Sequence, residues 1–80
     1  MPTIFRDGPY RFYFYSHEPN EPPHVHVDRD SYSAKFWLRQ VALARSVGFN
    51  VTELGEITRI VRIRQAALQG AWNGYFGDQR

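Results

Sequence analysis

Pro22-Pro23-His24-Val25-His26-Val27-Asp28 is the stretch of this chain whose residue types and spacing could do chemistry. Its prolines disfavour a helix, and its alternation predicts a strand with His24, His26 and Asp28 on one face and Val25 and Val27 on the other. Two imidazoles that titrate near neutrality would then stand roughly 6.5–7 Å apart on one face. Such a pair could serve as acid and base for phosphodiester cleavage. One neutral ring would take a proton from a ribose 2′-hydroxyl, the other, protonated, would give one to the leaving oxygen, and Lys35 with a nearby arginine would hold the phosphate charge. The same spacing suits two other arrangements. Both histidines can be structural, exposed or half-buried on the strand, hydrogen-bonded to the proline loop and stacked beside Trp37, or they can share a metal ion with further ligands drawn from His17, Glu18, Glu21 and Asp28. Lys35 weighs against the metal, because an ammonium so close to a cation is unfavourable. The expected site is metal-free and needs no cofactor.

The elements that must position these residues follow from the pattern on either side. Thr3–Arg6 and Tyr10–Tyr15 are short β-branched and aromatic runs divided by Asp7-Gly8-Pro9, which predicts a hairpin. Phe12 and Phe14 face the core, leaving Tyr13 and Tyr15 on the opposite face as candidate binding residues. Ser16 to Pro23 is an exposed, stiff, proline-rich loop. Beyond Asp28, a turn at Arg29–Tyr32 leads into Ser33–Leu38, and closing that hairpin sets Asp28 opposite Ser33, His26 opposite Lys35 and His24 opposite Trp37. Val25, Val27, Ala34, Phe36 and Leu38 form its core face; the histidines, Lys35 and Trp37 form an open one. Trp37 there is a candidate stacking platform for a base.

Arg39 to Gly48 can be a strand or a helical turn, since the alternation of Val41-Ala42-Leu43-Ala44 is too weak to decide, and a further strand is the preferred reading. Asn50 then caps a helix, with Glu53 closing a capping box and Phe49 placed to staple against Leu54. Leu54, Ile57, Val61, Leu68, Trp72 and Tyr75 recur at helical spacing, predicting one helix of about 24 residues with a weak point near Gly70. Arg59 and Arg62 share a face of that helix, either as a solvated stripe or as a contact for nucleic acid or a partner protein. The fold class expected is α+β, a mostly antiparallel sheet of four or five strands packed on one long C-terminal helix, in a single domain spanning residues 1–80.

Composition narrows the function classes. The chain has no cysteine, which excludes disulfide scaffolds and thiol chemistry and suits a reducing compartment. Its 80 residues include six phenylalanines, five tyrosines and two tryptophans, enough large apolar surface for one core. No stretch has the apolar run of a signal peptide or a membrane span, so the expectation is a soluble cytoplasmic protein with no membrane partner. Net charge is only +2, but Lys35 is the sole lysine among ten basic residues. Arginine binds phosphate and carboxylate in bidentate fashion, which favours RNA, DNA or an acidic protein surface as the partner.

The opening Met-Pro-Thr-Ile-Phe-Arg, Phe14-Tyr15-Ser16, Glu21-Pro22-Pro23-His24-Val25-His26-Val27, Ala34-Lys35-Phe36-Trp37-Leu38, Gly48-Phe49 and Ala71-Trp72 together resemble the small bacterial family called domain of unknown function 4160. The resemblance implies a small stand-alone protein, often encoded beside another small protein in an arrangement like a toxin–antitoxin operon. The chain departs from that family's pattern in two places. Arg39-Gln40 stands where an acidic residue and proline are usual, adding positive charge beside the histidine face, and Gly70 replaces a usual glutamate. The functional expectation is a toxin-like protein acting on RNA, with His24 and His26 as acid and base, Lys35 as the cation, and Trp37, Arg39, Tyr13, Tyr15, Arg59 and Arg62 as binding residues. The alternatives are a non-catalytic protein- or nucleic-acid-binding module of such a pair, with a small cognate protein as partner, or a histidine-based metal binder.

Overall fold

The computed structural model describes residues 3–15 and 20–77. The alternating segments become strands β1 (Thr3–Asp7), β2 (Tyr10–Tyr13), β3 (His24–Arg29), β4 (Tyr32–Trp37) and β5 (Ala42–Val47), and the segment after Asn50 becomes helices α1 (Val51–Ile63) and α2 (Gln65–Phe76). The five strands lie in chain order in one sheet, each antiparallel to its neighbours. Consecutive strands are neighbours throughout, and the clean alternation of β4 sets its buried side, with Ala34 and Phe36 inward.

The expected pairing of β3 with β4 is present, with Asp28 opposite Ser33, His26 opposite Lys35 and His24 opposite Trp37. The turn is tighter than the four residues expected: only Asp30 and Ser31 lie between the strands, and Asp30 takes the left-handed conformation (φ 56°) that aspartate tolerates better than most residues. The strand expected within Arg39–Gly48 forms as β5, at the sheet edge. It carries a bulge, for Lys35 pairs with Arg45 while the next residue, Phe36, pairs with Leu43. The extra residue, Ala44, resets the alternation and turns Arg45 to the same side as Lys35.

One side of the sheet is the core. Tyr10, Phe12, Phe14, Val25, Val27, Ala34, Phe36 and Leu38 are buried there under Ile57 and Val61 of α1 and Leu68 and Trp72 of α2. The N-terminus of α1 is capped as expected: the Glu53 amide donates to Asn50 Oδ1 (2.8 Å) and the Asn50 amide to Glu53 Oε1 (3.2 Å). Arg29 of β3 also donates to the Glu53 carboxylate, tying the helix start to the sheet.

The single long helix does not form; the chain divides at Arg64 (φ −101°, ψ 13°) and runs straight through Gly70 and Gly74. Two hydrogen bonds still bracket the break, Arg64 N–H to the Ile60 carbonyl (3.0 Å) and Leu68 N–H to the Arg64 carbonyl (2.8 Å). The buried stripe of Ile57, Val61, Leu68 and Trp72 reaches polar residues, Arg64 and Gln65, at its midpoint. Gln65 Nε2 donates to the carbonyls of Leu38 (2.7 Å) and Arg39 (3.1 Å). The Arg64 guanidinium lies 4.4 Å from the Phe5 ring centre and 3.8 Å from Asp7 Oδ2. These anchors outweigh the small propensity penalty of the glycines, about 1 kcal/mol each, in deciding where the helix breaks. No described helix is long and apolar enough to cross a membrane.

Candidate functional site

The side of the sheet away from the helices carries a row of four residues, one from each of four adjacent strands. Tyr13 of β2 is opposite His26 of β3, His26 is opposite Lys35 of β4, and Lys35 is opposite Arg45 of β5. At ordinary strand spacing the row spans roughly 14 Å. With Tyr15, Asp28 and Ser33 it lines a polar cavity of about 270 Å³.

His26 is the imidazole of this row. It is 6% exposed, stacked on Tyr13 with ring centres 5.4 Å apart, and has the Tyr15 ring edge-on at 4.4 Å. Two aromatic neighbours thus restrict the ring. The Tyr13 hydroxyl donates to Asp28 Oδ1 at 3.0 Å. Burial, with hydrogen bonds to Tyr15 and Asp28, pushes the Tyr13 phenol well above its usual range, so it keeps its proton and acts as a donor. The Lys35 ammonium pairs with Glu21 from the proline loop and lies 4.7 Å from the Trp37 ring centre. Arg45 is exposed at the rim.

His24 departs from expectation. Parity places it beside His26, yet it is fully buried and shares no opening with the cavity. Its Nδ1 donates to the Pro22 carbonyl at 2.9 Å and lies 3.9 Å from Glu21 Oε1. Its ring packs 5.0 Å from Trp72, 5.1 Å from His26 and 5.8 Å from Trp37. The cause is the end of the sheet. His24 is the first residue of β3, where Pro23 accepts a hydrogen bond from the Leu38 amide (3.0 Å) and α2 brings the Trp72 indole against the strand end. The hydrogen bond to the proline loop and the contact with Trp37 match the structural arrangement of the pair, but that arrangement had both rings exposed or half-buried, whereas His24 is fully buried.

The other expected site residues divide. Tyr13, Tyr15, His26 and Lys35 come together in the cavity, while Trp37 and Arg39 line a separate groove at the other end of β4 with Pro22 and Pro23. Arg59 and Arg62 are exposed on α1, on the helix side of the sheet; Arg59 borders a cavity formed with Asp7, Tyr10 and Glu56. They share no surface with the histidine row. Among the candidate metal ligands, Asp28 is bonded to Tyr13 and Glu21 to Lys35, and His17 and Glu18 lie outside the described residues. Among the described residues no three histidine, aspartate or glutamate side chains are grouped to hold a metal ion.

Arg45 is the residue that sequence reasoning missed. Only the bulge at Ala44 turns it toward Lys35, and alternation in this segment was too weak to reveal a bulge.

Comparison with curated proteins gives no match, and comparison with solved structures gives none. A family model described as Domain of unknown function (DUF4160) matches residues 10–73, from the first residue of β2 to the residue after Trp72. That span includes the whole Tyr13–His26–Lys35–Arg45 row and the buried Trp72, and the chain belongs to the DUF4160 family.

Proposed function

We propose that the open sheet face binds the phosphodiester backbone of RNA and cleaves it without a metal, with His26 as the residue that moves the proton. The observation that carries this reading is the single row of Tyr13, His26, Lys35 and Arg45, which sets one imidazole between a protonated phenol and two cations. A phosphate in the cavity would meet the Lys35 ammonium in exchange for Glu21 and the Arg45 guanidinium at the rim. The neutral His26 ring would accept the proton of the 2′-hydroxyl as that oxygen attacks phosphorus. The leaving oxygen departs, a cyclic phosphate forms, and the imidazolium returns the proton to the departed oxygen through solvent. Lys35 and Arg45 would stabilise the negative charge that builds on the phosphorane oxygens. The two-histidine form of this chemistry is set aside, because a fully buried His24 can touch no substrate.

A second reading keeps the same surface as a non-catalytic RNA-binding module of a toxin–antitoxin-like pair. The enclosure of His24 favours it, since among the described residues that leaves His26 as the imidazole lining the cavity. One assay separates the two: a fluorescently labelled single-stranded RNA followed for binding and for cleavage in the presence of chelator. Under the catalytic reading, His26→Ala lowers cleavage by about 10²–10⁴-fold with binding retained. Under either reading, Lys35→Ala and Arg45→Ala weaken binding, with a loss that shrinks as salt rises and a salt slope reduced by about 1 for each. Wild-type protein that fails to bind RNA at low salt overturns both.

A further inference from the structure

Beside the polar cavity lies a groove of about 300 Å³ lined by Pro22, Pro23, Trp37, Arg39, Gln40 and Ala42. Its walls are largely apolar, with Arg39 supplying the charge. We infer that this groove is a nucleobase subsite, so that the open face takes one unpaired nucleotide, its base against Trp37 and its phosphate in the His26–Lys35–Arg45 cavity. The inference rests on the phosphate-binding reading of that cavity and names the part of the substrate it leaves unspecified.

Lys35 joins the two sites. It lines the polar cavity, and its ammonium lies 4.7 Å from the Trp37 ring centre. Trp37 is two residues further along the same strand face, roughly 6.5–7 Å away, about the separation of phosphate and base within one nucleotide. The indole is half-buried, in a T-shaped contact with His24 at 5.8 Å and bounded by the two prolines, so it is held in place before any ligand arrives. A rigid aromatic surface with apolar sides accepts any base by stacking and needs no hydrogen-bond pattern. Arg39 at the rim can stack on or pair with the outer edge of the same base. A base inside a duplex has its faces covered and cannot enter, so the groove selects single strands.

The test compares adenosine monophosphate, ribose phosphate and inorganic phosphate as ligands, with affinities read by calorimetry. Adenosine monophosphate is expected to bind about tenfold more tightly than ribose phosphate. Trp37→Leu should erase that difference, so that adenosine monophosphate and ribose phosphate bind the variant equally, while Trp37→Phe, which keeps an aromatic face, should retain most of it. If Trp37→Leu does not fold, the wild-type comparison and Trp37→Phe still decide. Equal binding of adenosine monophosphate and ribose phosphate overturns the base subsite and leaves the phosphate site standing. Binding of none of the three overturns the phosphate site, and the base subsite with it.

Discussion

His24 and Trp72 lie ring to ring, 5.0 Å between centres, both fully buried, at the point where α2 meets the first residue of β3. The contact converts a histidine with a reactive-looking spacing into part of the packing. His24 Nδ1 satisfies the Pro22 carbonyl, so truncation removes a hydrogen bond as well as ring volume. His24→Ala is expected to cost about 2–4 kcal/mol in denaturant unfolding, and His26→Ala, beside an open cavity, to cost less. A His24→Ala protein as stable as wild type would return His24 to the list of accessible groups.

Trp72 anchors the same junction. It packs edge-on to Phe14 at 5.3 Å and against Phe76 at 4.2 Å, and Trp72→Ala should cost about 3–5 kcal/mol, a large part of the stability of a domain this small. Its indole Nε1, however, is buried and without a hydrogen-bond partner among the described residues. Trp72→Phe keeps the aromatic contacts and removes that unpaired donor, so its cost should be only about 1–2 kcal/mol. Arg59→Ala and Arg62→Ala, exposed on α1, should each stay within about 0.5 kcal/mol of wild type. Thermal and denaturant melts check all four. An unfolded Arg59→Ala beside an unaffected Trp72→Ala would mean that the wrong face of the helices has been assigned to the core.

Two tyrosines make the fold sensitive to alkali. Tyr10 donates to Glu56 Oε1 at 2.5 Å, and burial followed by that bond pushes its phenol up to about 12. Tyr13 is raised in the same direction, first by burial and then by its bonds to Tyr15 and Asp28. In the unfolded chain both would lose their protons near pH 10, so above that pH the folded state binds more protons than the unfolded one. Stability should therefore be fully present below about pH 10 and fall as pH rises past it, by about 1.4 kcal/mol per pH unit for each group while the folded phenol stays protonated. Tyr10→Phe should flatten the decline even if it lowers stability at neutral pH. The check is tyrosinate absorbance recorded together with circular dichroism. Ionisation of all five tyrosines near pH 10 in a protein that stays folded would contradict it.

Local pattern was enough to determine a good deal. The alternation of Val25, Val27, Ala34 and Phe36 set the faces of β3 and β4, and the shortness of their connection set the register that brings His26 opposite Lys35. Asn50 and Glu53 marked the start of α1, because a capping box is made by residues three apart in the chain. The spacing of Ile57, Val61, Leu68 and Trp72 marked the buried stripe even across the break. Each of these depends on neighbours in sequence or on one tight turn. Tertiary structure decided the rest. Parity assigns a side chain to a face but says nothing about what covers the end of the sheet, and it is α2, returning from far along the chain, that encloses His24. The helix breaks at Arg64 rather than near Gly70 because Gln65 and Arg64 find partners in the turn after β4 and in β1, contacts that helix propensity does not describe. Arg45 joins the row only through the bulge at Ala44, where pairing with β4 leaves one residue over. The histidine motif is thus a matter of sequence, whereas which of its two rings can meet a ligand is a matter of packing between parts of the chain that lie far apart.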